Sequence, residues 1–135
     1  MTECTSLGTL YHVGYSVAER KTKRIPAVFY RTGSGTEPVR AWLKDLPDED
    51  RRIIGLDIAT VEYGWPVGMP ICRSIAGRRG LWEVRSSLPG GRIARVFFCI
   101  RRGQLVFLHG MLKKTEKTPD SDLDLATKRK KEVER

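Results

Sequence analysis

The run from His109 to Pro119 places an imidazole and three lysines, Lys113, Lys114 and Lys117, where a hydrophobic strand gives way to a charged helix. Imidazole titrates near neutrality and can move a proton in either direction. Ammonium groups a few residues away can hold phosphate oxygens. Together these residue types suit chemistry on a phosphate ester, with His109 as general acid or base and the lysines as a clamp. The bland use of His109 is a core histidine with its nitrogens satisfied.

A second set of bases lies upstream. Between Cys72 and Arg102 the charged residues are Arg73, Arg78, Arg79, Arg85, Arg92, Arg95, Arg101 and Arg102, against Glu83 alone. All the bases are arginine, whose planar fork pairs with phosphate and stacks on nucleobases better than lysine does. From Arg31 to Glu62, by contrast, acids slightly outnumber bases. One half of the chain therefore carries the positive field, as either an anion-binding face or an arginine-rich solvated surface.

The hydrophobic pattern supplies the elements that must position these groups. Ala27–Tyr30 reads as a short strand, followed by the turn-forming run Thr32–Thr36. Val39, Trp42, Leu43 and Leu46 recur at helical spacing. Pro47 ends that helix and opens another, with Asp48, Glu49 and Asp50 at its positive end. Ile54, Ile58, Val61 and Trp65 make the second apolar stripe, stopped by Gly64 and Pro66, so the two helices form a hairpin. After residue 69 the period becomes two. Cys72–Ala76, Leu81–Arg85, Ile93–Ile100 and Leu105–His109 read as strands separated by glycine-bearing loops, a meander. Thr118, Pro119 and Asp120 then give a capping hydroxyl, a first-turn proline and an acid. The final helix turns Leu123, Ala126 and Val133 toward the sheet. Trp42, Trp65 and Trp82 fit core positions.

In-register hairpins would project Arg85, Arg95 and His109 from one surface. A slip of one residue would turn each to the other face.

At 135 residues the chain makes one domain with a single modest core. Residues 1–24 show no sustained period and end in the basic knot Arg20–Arg24, so they read as an extension, with the domain over 25–135. A net charge of +9 favours a polyanionic partner: nucleic acid, ribosome or an anionic membrane surface. No apolar run approaches the ~20 residues of a membrane span, and the N-terminus has no secretory-signal pattern. A cytosolic protein is expected. Cys4, Cys72 and Cys99 are odd in number and widely spaced, supporting neither a disulfide framework nor a zinc site.

The segments Gly80–Arg85 (GLWEVR), Arg95–Phe98 (RVFF) and Leu108–Pro119 (LHGMLKKTEKTP), followed by a basic helix, resemble in that order the HigB-like toxins of the RelE/ParE superfamily, also described as phage-derived Gp49-like proteins. The resemblance covers roughly residues 25–135. It implies an α+β, RelE-like (microbial RNase-like) fold, with an N-terminal strand and helical hairpin packed on a curved antiparallel sheet and a C-terminal helix.

It further implies the toxin of a type II toxin–antitoxin pair, an mRNA endoribonuclease working in the ribosomal decoding site with no cofactor or metal. A HigA-like helix-turn-helix antitoxin, mRNA and the ribosome would be its partners. In-line attack of a ribose 2′-hydroxyl needs a base, positive charge on the phosphorane and an acid for the leaving oxygen. Arg95 matches the family's central-strand arginine, expected to stabilise the transition state, and Arg85 the arginine that holds the backbone. His109 is the expected acid or base, while Arg79, Lys113, Lys114 and Lys117 are expected to bind substrate. The chain departs from the RelE branch in having Leu81 and Glu83 where that branch has lysines, and in lacking its C-terminal tyrosine. Glu83 is then either a base or an ion-pair partner of Arg85 or Arg95. Two non-catalytic alternatives remain: a ParE-like gyrase inhibitor and an inactive RNA-binding relative.

Overall fold

The computed structural model describes residues 22–113 and 118–135. Its elements follow the expected order: β1 (Ala27–Phe29), α1 (Pro38–Asp45), α2 (Asp48–Gly64), β2 (Cys72–Ser74), β3 (Trp82–Ser87), β4 (Ile93–Arg101), β5 (Gln104–Lys113) and α3 (Asp120–Val133). The architecture is the expected α+β, RelE-like one. Lys114 and Lys117, Cys4 and most of the expected N-terminal extension lie outside the described residues.

The five strands form one sheet in the order β1-β5-β4-β3-β2. The meander from β2 to β5 is antiparallel. β1 joins its edge parallel to β5, Ala27 opposite Leu105 and Phe29 opposite Phe107, so the sheet is mixed. The β4–β5 connection is the pair Arg102-Gly103, both at positive φ (52° and 74°), the conformation that matches the twist of a tight hairpin.

Each face of the sheet has its own apolar layer. Val84, Val96, Phe98, Leu105 and Phe107 meet Val39 and Leu43 of α1 and Ile54, Ile58 and Val61 of α2. Leu81, Phe97, Cys99, Val106 and Leu108 meet α3 through Ala126, with Leu123 and Val133 packed beside it. The three tryptophans belong to the hairpin side. Trp65 and Trp82 pack edge to face with centroids 5.1 Å apart, and Trp42 lies against Gly110.

Polar contacts hold the helices in place. Arg51 Nη1 turns back to the carbonyls of Lys44 (3.0 Å) and Leu46 (3.2 Å), satisfying acceptors left open at the end of α1. Asp50, buried in the first turn of α2, takes a two-pronged ion pair from Arg92 at 2.6 and 2.9 Å. Glu62 accepts from the Ala27 backbone N–H at 2.7 Å and pairs with Lys23 at 3.0 Å, tying the chain entering β1 to α2.

Most boundaries move by one or two residues, and three of the differences bear on the site. The strand expected over Cys72–Ala76 stops at Ser74. β5 does not end at His109 but continues to Lys113, because the nine-residue β4 offers backbone partners down to Ile93, opposite Lys113. His109 is therefore a mid-strand residue. Pro119, not Thr118, is the N-cap of α3, and no side chain caps that end.

Candidate functional site

The α3 side of the sheet gathers the expected chemistry. One row across it runs Arg73, Glu83, Phe97, His109, and the next runs Arg85, Arg95, Met111. Lys113 follows opposite Ile93. Arg85, Arg95 and His109 do share a face.

A bulge makes that possible. Phe97 pairs with His109 but Phe98 pairs with Phe107, leaving Leu108 as the extra residue on β5. Strict alternation from Phe107 would send His109 to the hairpin side. The extra residue resets the parity, and Leu108 and His109 both face α3.

His109 is half-buried. Its ring stacks on Phe97, with centroids 6.2 Å apart and planes 11° from parallel. Its Nε2 lies 2.6 Å from Asp122 Oδ1, in the first turn of α3. A carboxylate on Nε2 fixes the ring's orientation and favours the tautomer that presents Nδ1 as the acceptor. Such a nitrogen can take or return a proton.

Arg95 is 1% exposed and Glu83 0%. Arg95 Nη1 reaches both carboxylate oxygens of Glu83, at 3.1 and 2.8 Å. From the other side Arg73 Nε donates to Glu83 Oε2 at 2.8 Å. Glu83 thus occupies the ion-pair arrangement, with Arg95 as its partner and Arg73 as a second one. Buried charges persist when they are paired and hydrogen-bonded in this way.

The other expected binding residues fare differently. Arg85 is half-buried and Arg79 exposed. Neither guanidinium has an ion-pair or hydrogen-bond partner among the described residues. Lys113 is half-buried at the end of β5. Arg78, beside Arg79, is committed to α3 through Asp124 at 2.8 Å and Thr127 at 3.2 Å. Further along that helix Arg129 donates to the Leu108 carbonyl at 2.8 Å. Tyr30 bonds Glu132, and burial, reinforced by that carboxylate, pushes its hydroxyl up to about 12.

Cys72 and Cys99 are not nucleophiles of this face. Burial first, and the charge of Glu83 second, push Cys72 up to about 11. Burial first, with Glu134 next, raises Cys99 to about 11 as well. Such thiols stay protonated at neutral pH and react slowly. Among the described residues no three His, Cys, Asp or Glu side chains converge as a metal site requires.

Sequence reasoning missed two members of the site, Arg73 and Asp122. Arg73 sits on a strand of three residues, too short for a period to reveal its face. Asp122 reads as an ordinary acid of a helix first turn until α3 packs on β5.

What the arrangement offers is a face carrying Arg73, Arg85 and Arg95, with Arg85 making no ion pair or hydrogen bond among the described residues, beside an imidazole steered by a carboxylate. Among known proteins, the family model described as Phage derived protein Gp49-like (DUF891) matches residues 41–131. That span holds every element from within α1 to within α3. No curated protein matches the chain.

Proposed function

This chain belongs to the phage-derived Gp49-like family, a family of RelE/HigB-like toxins, and we propose that it is a HigB-like type II toxin, a metal-independent endoribonuclease that cuts mRNA at the ribosome. The observation that carries the reading is Arg85. Its half-buried guanidinium, without an internal counter-ion among the described residues, lies opposite Arg95 on the same face as His109.

In this reading a ribose 2′-hydroxyl loses its proton and attacks the adjacent phosphate in line, and the bond to the 5′-oxygen breaks, leaving a 2′,3′-cyclic phosphate and, once that oxygen is protonated, a 5′-hydroxyl. His109 moves the proton, steered by Asp122. Arg85 contacts the phosphate as charge builds on the phosphorane. Arg95, opposite it on β4, is held by Glu83 and supports that face from within. Arg79 and Lys113, with Lys114 and Lys117, hold flanking backbone. The 2′-hydroxyl is the nucleophile, so the reaction itself calls for neither cofactor nor metal. A ribosomal target places the toxin in the cytoplasm, and the basic face suits coverage by a HigA-like helix-turn-helix antitoxin of complementary charge.

One observation favours a second, non-catalytic reading. Arg95 is 1% exposed and held by Glu83, as suits a structural ion pair in a ParE-like gyrase inhibitor or an inactive RNA-binding relative. Primer extension on a translated message separates the readings. Cuts within codons that vanish in Arg85→Ala and His109→Ala are expected. Intact transcripts together with gyrase-linked DNA breaks would overturn the nuclease.

A further inference from the structure

Arg73 is oriented from inside the protein. Cys72 is buried on the hairpin side of β2, so alternation turns Arg73 to the α3 side, opposite Glu83. Its Nε donates to Glu83 Oε2 at 2.8 Å, while its side chain is 43% exposed. The guanidinium is planar, so a fixed Nε–H also fixes the direction of the two terminal nitrogens. Those nitrogens have no hydrogen-bond partner among the described residues. Glu83 cannot follow the arginine outward, because Arg95 Nη1 engages both of its oxygens. The result is a fork held at its base and open at its tip.

Arg85 stands two residues further along β3 on the same face. Diagonal neighbours of this kind sit about 7–8 Å apart. Two arginines on neighbouring strand positions of one face, with no partner at their tips among the described residues, can each take one phosphate of a single strand.

We infer that Arg73 is a phosphate-binding residue for the RNA strand, extending the site from His109 to the β2 edge, and that Glu83 is a positioning residue that aims it. The RNA identity rests on the toxin reading above. The anion site stands on the geometry of Arg73, Glu83 and Arg85.

The test uses a fluorescent 2′-O-methyl RNA oligonucleotide, which lacks the attacking hydroxyl, titrated with the full chain at several salt concentrations. Arg73→Ala is expected to weaken binding about tenfold and to lower the magnitude of the salt slope by about 0.7, the loss of one phosphate contact on a single strand. Arg73→Lys should keep the salt slope but lose about threefold in affinity, since an ammonium cannot take its aim from Glu83. Exposed Arg52 on α2 serves as a control, and Arg52→Ala should bind as wild type does. On translated message, Arg73→Ala should raise KM about tenfold with kcat within about twofold.

Wild-type affinity and slope in Arg73→Ala would overturn the inference, as would absence of oligonucleotide binding by the wild type. Arg73→Lys keeps the charge, so it covers the case in which Arg73→Ala is unstable. A wild type that binds the oligonucleotide through Arg73 yet never cuts message would retain the anion site and sink only the nuclease reading.

Discussion

Arg85 and Arg95 stand directly opposite each other across β3 and β4, and Arg95 turns its guanidinium onto Glu83, 2.8 Å away, where Arg85 makes no ion pair with any described residue. Like charges facing each other across strands repel. Glu83 relieves that repulsion from the Arg95 side, leaving the charge of Arg85 for an outside anion.

The two arginines should therefore separate in a paired assay. Arg85→Ala is expected to cut mRNA cleavage about 100-fold, as loss of one transition-state donor does, with stability within about 0.5 kcal/mol of wild type. Arg95→Ala should cost about 3 kcal/mol in urea unfolding, because it withdraws a partner from a buried carboxylate. Equal stability losses in the two variants would refute the division of labour.

Glu83→Ala should destabilise the protein by about 3–5 kcal/mol, since it leaves Arg95 buried without its carboxylate. Glu83→Leu combined with Arg95→Met replaces charge by apolar volume and should recover most of that loss. Equilibrium unfolding of the singles and the double tests this. A double variant no more stable than Glu83→Ala would mean that the pair is not the source of the cost.

Gly110→Ala should destabilise by about 1–3 kcal/mol through overpacking. An added Cβ would fall 2.5 Å from the Trp42 ring. In a Trp42→Ala background the same substitution should cost almost nothing. Identical costs in both backgrounds would show that the ring is not what excludes the methyl group.

Acid should loosen the β3–β4 turn from α2. Hydrogen bonding to Arg92 holds the Asp50 carboxyl below the usual carboxylate range against the opposing effect of burial. A depressed folded-state pKa stabilises above the unfolded value, ~4, and that contribution is lost as pH falls through the folded value. Asp50→Asn should thus lower stability at pH 7 and flatten the acid limb of the stability curve below pH ~4. Asp57 on the same helix has the opposite sign, because burial raises it. An acid limb unchanged in Asp50→Asn would assign the titration elsewhere.

Asp122→Ala should reduce cleavage about tenfold and His109→Ala about 100-fold, in keeping with a steering group and a proton-transfer group. Both residues are partly exposed, 24% and 18% at the side chain, so stability should change by no more than about 1 kcal/mol. Altered melting with unaltered cleavage would mark the pair as a brace between β5 and α3.

The elements were legible because burial imposes a period on the chain. Ile54, Ile58 and Val61 announced α2, and each is fully buried. β5 was cut short because Gly110 and the lysines after it carry weak strand signals, while its continuation depends on pairing with β4. The brevity of β2 hid Arg73. The distance along the chain between His109 and Asp122 hid their contact.

The α+β order of elements, the basic half of the chain and the residue types available to it are all readable from the sequence. Those follow from local periodicity and composition, which need no partner strand. Which of the bases share a face comes from strand pairing. The unpaired Leu108 resets alternation and brings His109 to the α3 side. Cross-strand register then sets Glu83 against Arg73 and, through its side chain, against Arg95. A strand's side chains alternate whatever its sequence, so their face is fixed by pairing, and pairing is a property of two strands at once.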